Sequence, residues 1–246
     1  MGHWSRGRGA NATNPMKTLG MIGGVGPEST IDYYGKIIGR YRELKSDGSY
    51  PQFLINSIDL NKGRGMIEAQ DWAGITLYLV EEITKLARAG AEFGLISANT
   101  PHIVFDEVQR QSPIPLISIV EATATVAQQM KLKRVGLFAT SFTIAAKFYP
   151  KAFSKQGIEV IDPDPADQEF IHDKYMNELV NGIFRDETRS ALLGIVDKMA
   201  RERQVEAIVL GGTELPLILR DESHNGIPFL NTTKIHVAAA VAEMLS

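Results

Sequence analysis

The sequence predicts an α/β fold: two similar, doubly wound parallel-sheet domains related by a pseudo-twofold axis, with a cleft between them. Three observations predict it. Short, continuously apolar runs alternate with longer amphipathic ones from Lys17 onward, and buried strands separated by helices make a parallel sheet covered on both faces. Landmarks of the first half recur in the second, Lys17-Thr-Leu-Gly20 as Lys133-Arg-Val-Gly136 and Glu92-Phe-Gly-Leu-Ile96 as Glu206-Ala-Ile-Val-Leu210. The two offsets agree within two positions, which points to a duplicated unit, chance likeness between βα turns being the alternative. Finally, 246 residues hold one large domain or two small ones, each with its own core.

Taken in order, Thr18–Ile22 is the first strand run, followed by a glycine-rich turn and a helix over 29–41. Phe53–Ser57 is the second strand. Trp72–Ala89 repeats apolar residues at i, i+3, i+4, the mark of an amphipathic helix. Strands follow at Phe93–Ile96, Leu116–Ile119, Val135–Phe138, Val160–Ile161, Ala207–Leu210 and Phe229–Leu230. Helices are expected over 102–111, 121–131, 143–156, 168–182, 188–203 and 232–245. Pro113 and Pro115 mark the passage into the second half and Gly226-Ile-Pro228 the return. The expected domains are therefore 16–117 plus 228–246, and 118–227. Residues 1–15, MGHWSRGRGANATNP, lack apolar periodicity and read as a tag-like leader.

Composition removes whole classes of function. With 22% charged residues, 44% hydrophobic residues and a net charge of −3, the chain is neither a basic nucleic-acid binder nor a disordered acidic protein. It contains no cysteine, which excludes disulfides, thiolate metal sites and a cysteine nucleophile. No apolar run reaches the roughly 18 residues of a membrane span, and no secretory signal is visible. A cytoplasmic protein without membrane or nucleic-acid partners is expected. The five histidines show no metal-ligand spacing, so no metal is expected. Gly23-Gly-Val-Gly26 fails as a dinucleotide fingerprint, because Glu28 stands where the third glycine would be, and no Walker lysine follows.

Open parallel sheets bind ligands beyond the carboxyl ends of their strands. The candidates are thus the polar residues just past each strand: Gly23–Pro27, Asn56–Asp59, Ser97–His102, Thr140–Thr143 and Gly211–Glu214. The turn around Gly24 serves either tight packing or a small anion at a helix N-terminus. Thr140, Ser141 and Thr143 offer the same anion site or ordinary helix capping. Asn99-Thr100 and Thr213-Glu214 occupy matching places in the two halves, each followed by a proline, Pro101 or Pro216, that suits a helix start. Glu214 is the hardest of these to assign to capping alone. A carboxylate there, facing a cleft, is a candidate general acid or base. His102 fits along its helix, and His172 and His236 sit inside helical patterns with no catalytic claim.

In their order along the chain, Gly20–Thr30, Ala98-Asn-Thr-Pro-His102, Gly136–Thr140 with Thr143, and Gly212-Thr-Glu214 resemble the aspartate/glutamate racemase family of cofactor-independent amino-acid racemases. Ile171-His172 through Glu178-Leu179 and Thr232 through His236 add weaker support. The resemblance implies two similar domains around one active site, an amino or related carboxylic acid as substrate, no pyridoxal phosphate or other cofactor, and a homodimer. It implies that Gly24, Asn56, Ser57, Asn99, Thr100, Thr140, Thr143 and Thr213 line the cleft and hold the α-carboxylate and amine. Family members move the Cα proton with one cysteine on each face, before Asn-Thr and before Thr-Glu. Here those positions are Ala98 and Gly212, and neither carries a proton. Two-base chemistry needs a group on both faces. Glu214 is then the first candidate acid or base, with Asp59 and His102 behind it. A non-catalytic carboxylate-binding relative and a lyase or decarboxylase are the rival readings. Where the resemblance implies a lysine for a substrate's second carboxylate, this chain reads Asp167-Gln-Glu169. Lys62 or Arg64 would have to meet that carboxylate, or Glu169 would suit a neutral or basic side chain.

Overall fold

Five consecutive buried residues, Leu19–Gly23, form strand β1, and only an interior strand with both faces covered tolerates such a run. In the computed structural model, which describes residues 16–246, the leader 1–15 lies outside the described residues. β1 pairs in parallel with β2 (Phe53–Ser57) and β3 (Phe93–Ile96), and β3 with β4 (Leu116–Ile117), in the order β2-β1-β3-β4. The second sheet contains β5 (Arg134–Phe138), β6 (Glu159–Ile161), β7 (Ala207–Leu210), β8 (Ser223–His224) and β9 (Ile227–Asn231), in the order β6-β5-β7-β9-β8. Its pairings are parallel except for the β8–β9 hairpin. Without β8, the two sheets share one strand order.

Two glutamates repeat the same contact in each half. The Glu92 carboxylate accepts from the Thr18 amide at 2.7 Å, and the Glu92 amide donates to the Thr18 carbonyl at 2.8 Å. In the second half, Glu206 accepts from the Arg134 amide at 3.0 Å and donates its own amide to the Arg134 carbonyl at 2.8 Å. The duplication read from the lysine and glutamate landmarks is thus also a duplication of hydrogen bonds.

The helices are α1 (Pro27–Leu44), α2 (Leu60–Glu68), α3 (Trp72–Arg88), α4 (Phe105–Gln111), α5 (Ile119–Gln129), α6 (Ser141–Ala145), α7 (Phe148–Ser154), α8 (Pro165–Asn177), α9 (Asp186–Arg203), α10 (Leu215–Ile218) and α11 (Thr232–Met244). In the first half, Tyr33, Ile37 and Tyr41 of α1 and Val237, Ala240 and Val241 of α11 cover Leu19 and Met21 on one face of the sheet. Ile75, Leu79 and Ile83 of α3 cover Ile22 and Ile96 on the other. In the second half, α5 and α7 cover one face and α9 the other. Among the described residues no helix is long and apolar enough to cross a membrane.

The chain returns to the first half later than Gly226-Ile-Pro228 indicates. Residues 229–231 pair with β7, and Phe229 and Leu230 are buried there, so the crossing comes only at Thr232, where α11 starts. The helix expected over 143–156 is two helices, broken at Lys147 in the left-handed region (φ 55°). Pro150 falls in the first turn of the second one, where its missing N–H has no helical partner to lose. The helix expected over 168–182 stops at Asn177, and a 3-10 turn (Leu179–Asn181) ends on Gly182.

Helix α2 has no counterpart in the apolar pattern, because Gly63 and Gly65 interrupt it. It is started by Asp59, whose carboxylate accepts from the Asn61 and Lys62 amides at 2.9 and 3.3 Å. A Cβ on Gly65 would meet no atom within 4 Å. Gly65→Ala is therefore expected to stabilise the protein by about 0.4–1 kcal/mol through reduced unfolded-chain freedom and better helix propensity. Thermal unfolding of the variant checks this. A lower Tm would show that α2 needs glycine there for a reason other than space.

Candidate active site

The turns that follow β1, β3, β5 and β7 meet around a cavity of about 110 Å³. Val25 and Gly26 reach it from the first turn, Ala98 to Pro101 from the second, Thr140 and Phe142 from the third, and Thr213 and Glu214 from the fourth. Helices α2 and α3 close one side with Leu60, Ile67, Ile75 and Leu79, and α8 contributes Tyr175 and Met176. This is the carboxyl-end location that parallel sheets reserve for ligands.

Glu214 is a carboxyl group buried in this wall, only 2% exposed. Its Oε2 accepts from the Tyr175 hydroxyl and, at 3.0 Å, from the Thr213 hydroxyl. Oε1 is turned towards Gly26, where a Cβ would stand 2.4 Å from it. Gly26 also has φ 117°, so glycine is required there both for backbone shape and to leave room for the carboxyl group. Burial pushes the Glu214 carboxyl above the ordinary carboxylate range, and the Tyr175 and Thr213 hydroxyls pull it part of the way back. Tyr175 is itself pushed well above the usual phenol value, first by burial and then by the charge of Glu214. The phenol therefore stays protonated and donates to Oε2, which leaves Oε1 as the oxygen that can exchange a proton with a ligand.

Three threonines of the adjoining turns are linked by hydrogen bonds. Thr140 caps α6, accepting from the Thr143 amide at 3.3 Å and donating to the Thr143 hydroxyl at 3.2 Å. The Thr143 hydroxyl lies 3.1 Å from Thr100 Oγ1, and either oxygen can be the donor; when Thr143 donates, the Thr100 hydrogen is available to the cavity. Thr143 is fully buried and outside the cavity wall; it links Thr140 to Thr100 and does not line the cleft. Among the described residues no group of three or more histidine, cysteine, aspartate or glutamate side chains could hold a metal ion.

A family model described as Asp/Glu/hydantoin racemase matches residues 22–240. The chain belongs to this family. A broad-specificity amino-acid racemase of Bacillus subtilis is 24% identical over 93% of this chain and 98% of its own. A protein of Yersinia pestis assigned to the Asp/Glu racemases superposes with a TM-score of 0.84, at 31% identity, over 94% of this chain and all (100%) of its own. An aspartate racemase homologue from Pyrococcus horikoshii superposes with a TM-score of 0.79, at 32% identity, over 94% of this chain and 99% of its own.

Within this racemase-family fold, the two positions that the sequence resemblance assigns to cysteines are differently filled. Ala98 presents a methyl group to the cavity from the first half. At Gly212 a Cβ would stand 2.3 Å from Cε2 and 2.9 Å from the hydroxyl oxygen of Tyr175. The Tyr175 ring thus fills the space a side chain at 212 would need, and carries its hydroxyl to Glu214. Gly212→Ala is expected to cost about 1–3 kcal/mol by overpacking and to break the Tyr175–Glu214 contact. Denaturant unfolding checks the first effect. Sequence reasoning passed over Tyr175, which follows Ile171 by four residues on the buried side of α8 and so looks like core. The available signal was the glycine at 212, which implies that something large lies against it.

Several expected site residues are occupied elsewhere. The Gly24 amide donates to Thr30 Oγ1 at 2.8 Å, and Gly24 is not part of the cavity wall. The Asn56 amide donates to Glu82 Oε2 at 2.7 Å and to the Glu82 carbonyl at 3.2 Å; Ser57 is exposed beside Gly24. Neither lines the cavity. Asn99 does, yet its Oδ1 accepts from Tyr149 at 2.5 Å and its Nδ2 donates to Thr232 at 3.4 Å, so it ties the two halves together. The Ser141 amide donates to His172 Nδ1 at 3.3 Å. That bond and the Thr140 cap occupy the Ser141 and Thr143 amides, two of those at the start of α6.

The two other acid–base candidates are structural as well. Asp59 caps α2. His102 Nε2 accepts from the Ile119 amide at 3.3 Å, and burial lowers this histidine to about 3. Asp167 pairs with Lys198 at 2.8 Å, and Glu169 is exposed outside the cavity wall.

Proposed function

We propose that this racemase-family protein acts on a small amino or related carboxylic acid by proton transfer at Cα, without pyridoxal phosphate, and that Glu214 exchanges the proton. The observation that carries this reading is a buried carboxyl group of raised proton affinity at the meeting point of the strand ends, with one oxygen anchored by Tyr175 and Thr213. As a carboxylate, Glu214 takes the Cα proton on Oε1, and the electron pair left on carbon spreads into the substrate carboxylate. The same oxygen then returns the proton. Thr100 supplies a hydroxyl hydrogen to the substrate carboxylate. A raised carboxyl suits the task, since an acid–base group works best when its proton affinity matches the working pH.

Ala98 favours a second reading of the same geometry. The methyl group that stands at this wall position can neither remove nor return a proton, which leaves Glu214 as the acid–base group of the proposal. A lyase or decarboxylase, which needs only one proton donor, fits a single such group. Proton NMR in heavy water with a panel of D- and L-amino acids separates the readings. Loss of the Cα signal supports proton transfer, and product formation supports the lyase. Saturable binding with an intact signal would overturn both in favour of a binding relative. The proposal includes a cytoplasmic homodimer, for which sedimentation is the check on assembly.

A further inference from the structure

We infer that the substrate of this site carries an apolar side chain and no second carboxylate. The inference rests on the proposed reading of the cavity as a Cα site and names the ligand it takes. A large part of the wall is apolar, with Val25, Ile58, Leu60, Ile67, Leu79 and Met176 among its residues. The charged groups in the wall are Asp59, Arg64, Glu68 and Glu214, an acidic majority.

Arg64 is the one cation among these wall residues. Its guanidinium is half exposed and already bound to Glu68 at 2.7 Å. Lys62, the other cation expected to meet a second carboxylate, is outside the wall and lies over the Tyr78 ring at 4.2 Å. A side-chain carboxylate entering this cavity would lose its water, find no buried cation and face Glu214, which makes its burial costly. An aliphatic or aryl side chain would instead bury its surface against the wall and gain the hydrophobic contribution. One carboxylate remains to be held, the α-carboxylate, and the Thr100 hydroxyl is a donor that can meet it when Thr143 donates to Thr100.

The test uses the whole protein and measures binding apart from chemistry. Calorimetric titration compares leucine, methionine and phenylalanine with aspartate and glutamate, while Cα exchange is followed separately in heavy water. The expected result is at least tenfold tighter binding of an apolar amino acid than of aspartate. In Met176→Lys, which places a cation in the wall, that preference is expected to shrink or reverse. Equal or tighter binding of aspartate by the unmodified protein would overturn the inference, as would failure of every apolar amino acid to bind. Tight leucine binding without Cα exchange would uphold the apolar class and overturn the proton-transfer reading, so the two failures are distinct.

Discussion

Glu214→Gln is expected to slow Cα hydrogen exchange by about 10²–10⁴-fold, the usual contribution of a general acid–base group, and to leave the fold intact. Glutamine keeps the shape of the side chain, and its carbonyl oxygen can still accept from Tyr175 and Thr213. The variant should also change how stability depends on pH. Because burial raises the Glu214 carboxyl in the folded protein, the unfolded chain releases this proton first as pH rises. Stability is therefore lost between the ordinary carboxylate range and the folded value, and is flat above it. The glutamine variant lacks this loss, so its Tm relative to the unmodified protein should increase with pH across that window. Full activity in Glu214→Gln would remove the residue from the chemistry. An unchanged Tm difference would mean that the carboxyl group is not held in a desolvated place.

The second large effect is a loss of stability in mild acid, and it comes from two histidines outside the cavity. Burial lowers His102 to about 3 and His236 to about 4. His236 sits between the Tyr33 hydroxyl, 2.8 Å from Nδ1, and the Ile117 carbonyl, 2.9 Å from Nε2. Nε2 donates to the carbonyl, and Nδ1 accepts from the phenol, an arrangement that only the neutral ring satisfies. Below pH 6.5 the unfolded chain binds protons that the folded protein refuses, so stability falls as pH falls. Each histidine contributes about 2 kcal/mol of loss between pH 6.5 and 5. Glu214, whose carboxyl is raised by burial, acts in the opposite direction, so urea unfolding of Glu214→Gln gives the cleaner reading. A stability that stays level from pH 6.5 to 5 in that variant would contradict neutral burial of the pair.

How far the sequence discloses this protein depends on what each residue has to distinguish. Strands β1, β3, β5 and β7 are visible because interior parallel strands need apolar residues on both faces. Helix α2 is hidden because two glycines dilute its pattern, although it closes one side of the cavity. Among the site residues, Glu214 stands out because a carboxylate after a buried strand is unusual on packing grounds alone. Asn56 and Gly24 sit at equally promising places in the chain. Their polar groups turn to Glu82 and Thr30, and a polar residue after a strand looks the same in sequence whichever way it turns. Tyr175 fails in the opposite sense, since its buried ring satisfies the core pattern while its hydroxyl reaches the site. Asn99 falls between these cases, reaching the cavity while its amide holds Tyr149 and Thr232.

The most direct test of the account is deuterium incorporation at Cα of an accepted amino acid, followed by chiral chromatography of the recovered material. The proposed exchange by Glu214 alone predicts uptake of deuterium with the configuration retained, because the group that removes the proton also returns it. Uptake accompanied by inversion at the same rate would contradict the one-sided mechanism and require a second acid on the other face of Cα.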